Sequence, residues 1–224
     1  MYFKNRTEAG EMLAQKLGKY ANRDVVVYAL PRGGVVTAVE IAKHLHAPLE
    51  VVITRKIGHP TNPEYAIAAI SENGHMVTNR SELASIEEDF LQKEIEKQRE
   101  EIKRRKEMYL GGREIISTDG KIAILVDDGV ATGLTLRVGI IELRHRNPKK
   151  IVIAVPIVSK STADVLKNEI DELIALEIPS DDVFLSSVGD YYENFKQVED
   201  SEVIEILDAH RMWLKSTRVL RVAR

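Results

Sequence analysis

The chain has 224 residues, a length that allows one large domain or one domain carrying a smaller lid. Its 44% hydrophobic and 30% charged residues are typical of a soluble globular protein, and the absence of cysteine excludes disulfides and thiolate zinc sites. A net charge of −3 argues against nucleic acid as a partner. Because no signal peptide is visible and the longest apolar run, 151–158, is too short for a membrane span, we expect a cytoplasmic protein.

Short apolar segments alternate with helical patterns along most of the chain. An opening helix is predicted over residues 7–20, with Asn5 or Thr7 as its cap. Buried strands are predicted at 25–30, 49–54, 122–126, 151–155 and 172–176, with helices at 34–46, 133–146 and 160–168. Strand, helix and strand in this order indicate an α/β fold with right-handed crossovers and a doubly wound, mostly parallel sheet.

The segment 81–110 differs in character, because 16 of its 30 residues are charged and it contains neither glycine nor proline. Acid–base pairs four residues apart and a thin apolar stripe predict one long helix that ends at Gly111. A solvated surface helix is one interpretation, and a helix that binds a partner or joins two copies in a homodimer is the alternative. A further amphipathic helix is predicted over 202–214, followed by a basic tail.

The most informative segment joins a buried strand to two adjacent carboxylates, Asp127 and Asp128, and then to a turn of small residues over 129–135. Ligands bind at the carboxyl edge of an open α/β sheet, and a turn that opens a helix directs backbone N–H groups at one point, which suits a phosphate. The two carboxylates would repel that phosphate but suit the vicinal hydroxyls of a sugar. The pattern favours a ribose 5-phosphate, and a solvated Asp-Asp-Gly turn is the alternative.

Residues 124–135 closely resemble the phosphoribosyl pyrophosphate (PRPP) signature of the type I phosphoribosyltransferases, in which hydrophobic residues precede Asp-Asp, a short spacer and Thr-Gly-x-Thr. The resemblance covers most of the chain and points to a prokaryotic branch of that family whose acceptor is unassigned. It implies that Asp127 and Asp128 bind the ribose. It also implies that the 5-phosphate is bound by the turn, through Gly129, Val130, Ala131, Thr132, Gly133 and Thr135.

The segment 30–35 is a second Gly-rich turn, placed between the first strand and a helix. From the residues alone it is an anion-binding turn with a guanidinium attached, or simply a connection. The resemblance implies that it is the pyrophosphate loop, formed by Arg32, Gly33 and Gly34, where this family often has an unusual peptide geometry.

A third segment, 55–64, contains two prolines and a glycine and is predicted as a loop. The resemblance implies a flexible catalytic loop here, in which Arg55 and Lys56 bind pyrophosphate, whereas surface charges at a strand end are the alternative. Just beyond it, 66–70 and 75–77 are predicted to be the arms of a β-hairpin.

We predict two domains, a core over 1–178 and a hood with a C-terminal helix over 179–224. In the resembled family the hood selects the acceptor. The candidate acceptor residues are Lys160, after the fourth predicted strand, and the aromatic residues Phe184, Tyr191 and Tyr192. For the aromatic residues, the alternative to stacking on a planar base is a small core of the hood itself.

The resemblance implies transfer of phosphoribose from PRPP to a small nitrogenous acceptor, a nucleobase for example, with release of pyrophosphate. The implied catalytic residues are Arg32, Lys56, Asp127 and Asp128. Mg²⁺ is the expected cofactor, bound mainly by substrate oxygens, so no dedicated protein ligands are predicted. The alternative function is a non-catalytic sensor that binds PRPP or a nucleotide and regulates a partner.

Overall fold

The computed structural model describes residues 2–185 and 187–222. The helices are α1 (Arg6–Lys16), α2 (Gly33–Leu45), α3 (Arg80–Leu83), α4 (Glu88–Leu110), α5 (Leu134–Arg144), α6 (Lys160–Lys167) and α7 (Asp200–Val222). The strands are β1 (Val25–Ala29), β2 (Leu49–Val51), β3 (Thr54–His59), β4 (Asn62–Ser71), β5 (Met76–Thr78), β6 (Ile122–Val126), β7 (Lys150–Ile157) and β8 (Glu172–Glu177).

The main sheet has five parallel strands in the order β2-β1-β6-β7-β8. Side chains alternate across it, so that Val27 packs in one buried cluster with residues of α1 and α2, and Tyr28 packs in another with residues of α5 and α6. Both faces of the sheet are therefore covered, which explains why its strands are apolar throughout. The predicted doubly wound α/β fold is confirmed.

The pairing of β1 with β6 decides where the site lies. The two strands run in register from Val25 beside Ile122 to Ala29 beside Val126, and the Leu30 amide donates to the Val126 carbonyl at 3.0 Å. Both strands thus end at the same level of the same sheet edge. The turns that follow them begin side by side.

A second, three-stranded antiparallel sheet contains β3, β4 and β5. The hairpin predicted at 66–70 and 75–77 is present as β4 and β5, but the prediction of a loop over 55–64 is wrong, because most of that segment lies in β3 and β4. Gly58 lies where the register between β3 and β4 shifts. A Cβ on Gly58 would lie 2.2 Å from the Pro63 carbonyl oxygen, so the close approach of the two strands there requires glycine.

Helix boundaries differ from prediction in three places. The helix predicted over 81–110 is divided into α3 and α4, and α7 extends well beyond the predicted 202–214. The last residue of the basic tail, Arg224, lies outside the described residues. Asn5 caps α1 as expected, accepting from the Glu8 amide at 3.0 Å, but α1 ends at Lys16 and a short 3₁₀ turn follows.

A dimer through α4 stays a prediction.

The N-terminus pairs with the segment predicted as the hood. The Phe3 amide donates to the Tyr191 carbonyl, and the Glu193 amide donates to the Phe3 carbonyl, both at 2.8 Å. Helix α7 packs against α2, β2 and α4. The division of the chain at residue 178 stays a prediction, and both sides of it contact each other closely.

The core of the main sheet depends on β6, so its central residue offers a test of the fold. Replacing the fully buried Ile124 by alanine leaves a cavity between strands and helices, and should lower the free energy of unfolding by about 2–5 kcal/mol. The exposed Val165 on α6 provides a control, for which Val165→Ala should change it by less than about 0.5 kcal/mol. Urea denaturation measures both, and equal effects would contradict the packing described.

Candidate functional site

The turn after β1 lies directly against the two carboxylates that follow β6. Its Pro31–Arg32 peptide bond is cis, in agreement with the unusual geometry that the resemblance implies. A Cβ on Gly33 would lie 1.9 Å from Asp128 Oδ2, and a Cβ on Gly34 would lie 3.1 Å from Asp127 Oδ1. Gly33 therefore needs to be glycine for the turn to approach Asp128 so closely, and Gly34 keeps a second tight approach free of a side chain.

Asp127 and Asp128 are partly buried and share one small volume. Asp127 Oδ1 accepts a hydrogen bond from the Asp128 amide at 2.9 Å. Burial raises the pKa of Asp127 well above its usual range, and the neighbouring Asp128 carboxylate raises it further, whereas the nearby Arg6 guanidinium lowers it. Two adjacent carboxylates with one cation suit a neutral, hydroxyl-bearing ligand better than an anion.

Arg6 is a site residue that the sequence reasoning missed. Its Nε donates to Asp128 Oδ2 at 2.6 Å, and its Nη1 donates to the Lys196 carbonyl at 2.7 Å. Its guanidinium also lies 3.7 Å from the centre of the Phe195 ring. A sequence signal existed, because Arg6 continues the buried stripe of α1 that includes Ala9 and Leu13. A cation in the first turn of a helix, where the helix dipole disfavours it, suggests a partner elsewhere.

The segment 129–135, a turn that runs into the first residues of α5, exposes backbone donors. Gly133 is the N-cap residue of α5, and its φ of 73° lies in the left-handed region that favours glycine. The Ala131 carbonyl accepts from Thr162 Oγ1 at 2.9 Å, which anchors the turn to α6. Among the described residues, none accepts a hydrogen bond from the amides of residues 131–136. The turn thus has the free N–H groups and the helix N-terminus that an anion site requires.

Guanidinium groups lie near the turn over 30–35, which is called the pyrophosphate-type turn from here on. Arg55 on β3 donates from Nε to Gln98 Oε1 of α4 at 2.8 Å. Burial lowers the pKa of Arg55, and the like charges of Arg105 and Arg32 contribute. The sequence reasoning missed Arg105, although its spacing from Gln98 places both on the buried stripe of α4. Lys56, the next residue of β3, is partly buried.

The predicted acceptor residues are arranged differently from expectation. Tyr191 and Tyr192 are only 6% and 7% exposed and pack with Phe3, and the partly buried Phe184 lies 5.5 Å from the Tyr191 ring. Stacking of Tyr191 or Tyr192 on a base is therefore corrected to the alternative, a small aromatic core, because their faces are already covered. Lys160 is exposed and pairs with Asp164 within α6.

The comparisons with known proteins agree with this geometry. Residues 2–193 match the model of the phosphoribosyl transferase domain. The chain belongs to that family.

Two relatives come from Mycobacterium tuberculosis: "Putative phosphoribosyl transferase MT0597" from strain CDC 1551 and "Putative phosphoribosyl transferase Rv0571c" from strain H37Rv. Each is 40% identical over 212 residues, which is 93% of this chain and 47% of the relative. The chain thus spans about half the length of these curated relatives. The crystal structure of TT1426 from Thermus thermophilus is 38% identical, with a TM-score of 0.74, and the match covers 92% of this chain and 98% of that one.

The hydroxyl of Tyr192 ties the aromatic core to the site, because it donates to the Asp128 carbonyl at 2.5 Å. Tyr192→Phe removes this buried hydrogen bond while keeping the ring, and should lower the free energy of unfolding by about 1 kcal/mol. Tyr2→Phe, at an exposed ring, is the control and should have no measurable effect. If thermal denaturation gives the same result for both variants, the hydroxyl does not stabilise this contact.

Proposed function

We propose that this chain transfers the phosphoribosyl group of PRPP to a small nitrogenous acceptor and releases pyrophosphate. One observation carries the proposal: the Gly33–Gly34 turn lies against Asp127 and Asp128 at one edge of the sheet. An anion-binding turn and two sugar-binding carboxylates are thereby adjacent, as a phosphorylated ribose with a pyrophosphate on C1 requires. Family membership supports the same reaction type.

Each part of the site then has one task. The free amides of 131–135 bind the 5-phosphate, whereas the Val130 amide already donates to the Ile157 carbonyl at 2.9 Å. Asp127 and Asp128 accept hydrogen bonds from the ribose hydroxyls. Arg32, Arg55 and Lys56 stabilise the charge of the departing pyrophosphate. We add Arg105 to this cationic group, because it shares the buried stripe of α4 with Gln98, the partner of Arg55, and Glu101 holds its Nε at 2.7 Å.

The reaction is a substitution at C1 of the ribose. The bond between C1 and the pyrophosphate oxygen breaks, and its electron pair leaves with pyrophosphate. The acceptor nitrogen donates its lone pair to C1, and its proton goes to solvent. Positive charge develops at C1 and the ring oxygen, and the carboxylates of Asp127 and Asp128 favour it by charge.

The donor chemistry fits Mg²⁺, a hard cation that prefers oxygen ligands and keeps several waters. Asp127 and Asp128 provide carboxylate oxygens beside the proposed ribose hydroxyls, whereas the described residues contain no group of three or more His, Asp or Glu side chains arranged to hold a metal. Mg²⁺ would therefore be bound chiefly by substrate oxygens, with these two aspartates nearby. When bound, it neutralises charge on pyrophosphate.

The reaction is tested by pyrophosphate release from PRPP and Mg²⁺ across a panel of nucleobases and small amines. Turnover with at least one acceptor is expected, and Asp128→Asn should reduce kcat/KM at least 100-fold because the ribose loses a charged partner. Asp208→Asn, at an exposed carboxylate on α7, is the matched control and should retain full activity. Tight PRPP binding without turnover would identify a sensor, and absence of binding would refute the proposal.

The close approach of the two turns gives an independent prediction. Gly33→Ala places a methyl group where Asp128 Oδ2 lies, so the pyrophosphate-type turn must move and PRPP affinity should fall at least tenfold. Gly18→Ala is the control, because a Cβ there has no atom within 4 Å. Isothermal titration calorimetry with PRPP and Mg²⁺ measures both. Equal affinities would show that the contact of the turn with Asp128 is not needed for binding.

A further inference from the structure

Arg6 is held by contacts from two other parts of the chain and lies beside a third. Besides Asp128 after β6, it contacts the Lys196 carbonyl and the Phe195 ring, both in the segment before α7. Only 11% of its side chain is exposed. A Cβ on Gly33 would lie 2.8 Å from Arg6 Nε, so the pyrophosphate-type turn also leaves room for it. A guanidinium fixed on so many sides has essentially one orientation.

The contact with Asp128 uses one oxygen and leaves the other. Nε donates to Oδ2, and among the described residues no hydrogen bond from Arg6 reaches Oδ1. The backbone of the same residue is held too, since Tyr192 donates to its carbonyl. Asp128 is thus oriented by its side chain and its main chain at once, with Oδ1 on the side away from the Arg6 contact and its carboxyl group beside that of Asp127.

We propose that Arg6 is a positioning residue for Asp128, and that it orients the carboxylate so that Oδ1 receives a ribose hydroxyl of PRPP. This inference rests on the proposed function. Phe195 and Lys196 position Arg6 in turn, so the chain segment before α7 takes part in sugar binding without touching the sugar. A guanidinium that occupied the ribose position itself would make the opposite prediction, because it would compete with PRPP.

Arg6 also acts on the charge of the carboxylate pair. Asp127 faces the Asp128 carboxylate and the Arg6 guanidinium, and the cation lowers a pKa that burial and Asp128 raise. Removing the cation should therefore raise the pKa of Asp127 further. Since the ribose hydroxyls need an ionised acceptor, PRPP binding should then be lost at a higher pH as the solution is acidified.

The test measures the Kd and KM for PRPP, and kcat, between pH 5 and 8 for Arg6→Gln and Arg6→Lys. Arg6→Gln should raise the Kd about tenfold, and it should raise the pH at which PRPP binding is lost on acidification (the acidic limb of the binding profile). Arg6→Lys keeps the charge, so its acidic limb should lie at the wild-type pH while only part of the affinity is recovered. Arg23→Gln, at an exposed arginine away from the site, is the control and should match the wild type.

A role limited to stability would lower the melting temperature without moving the acidic limb, and that result would overturn the inference. Tighter PRPP binding by Arg6→Gln would also overturn it and would identify Arg6 as a blocking group. If Arg6→Gln does not fold, Phe195→Leu carries the test, because it removes the ring under Arg6 and should raise the Kd about threefold. Failure of the wild type to bind PRPP would instead refute the proposed function itself.

Discussion

The packing of the Gly33–Gly34 turn against Asp127 and Asp128 is the constraint on which the candidate site depends. It follows from the parallel, in-register pairing of β1 with β6, which ends both strands at one level of the sheet edge. At that edge the absence of two Cβ atoms permits the contact of the Gly33–Gly34 turn with the carboxylates. In the proposed reaction, this arrangement orders the ligand groups along the site as phosphate, sugar diol and pyrophosphate.

Charge is sorted around this contact although the chain as a whole is nearly neutral. Arg32, Arg55 and Arg105 lie close enough for the charges of the other two to lower the pKa of Arg55. Arg105 pairs with Glu101 at 2.7 Å and Arg32 with Glu199 at 3.4 Å. Arg6 has a different role, because it offsets the repulsion between two adjacent carboxylates. The segment 81–110 contains many charges of both signs, so the net charge of the chain does not reveal this arrangement. The buried stripe of α4 in the same segment nevertheless adds Arg105 to the cationic side.

The features that could be predicted from the sequence are those formed by residues close together in the chain. The apolar strands and the Asp-Asp turn are continuous patterns, so the sheet, its helices and the contact of the two turns follow from them. Arg6, Arg105 and the packing of Tyr192 depend on segments distant in sequence that meet only in the folded chain. The prediction of a loop over 55–64 was wrong for a physical reason: glycine and proline, here Gly58 and Pro63, are compatible with a bulge in paired strands as well as with a loop.

The central claim is that one site recognises a phosphate and a vicinal diol together. Isothermal titration calorimetry with ribose 5-phosphate, 2-deoxyribose 5-phosphate and ribose tests it without assuming any acceptor. Since a hydrogen bond to a charged group contributes about 1.5–3 kcal/mol, the account predicts that the deoxy sugar binds at least about tenfold more weakly than ribose 5-phosphate, and that ribose binds more weakly still. Equal affinity for the two phosphorylated sugars would contradict it, because Asp127 and Asp128 would then not bind the ribose hydroxyls.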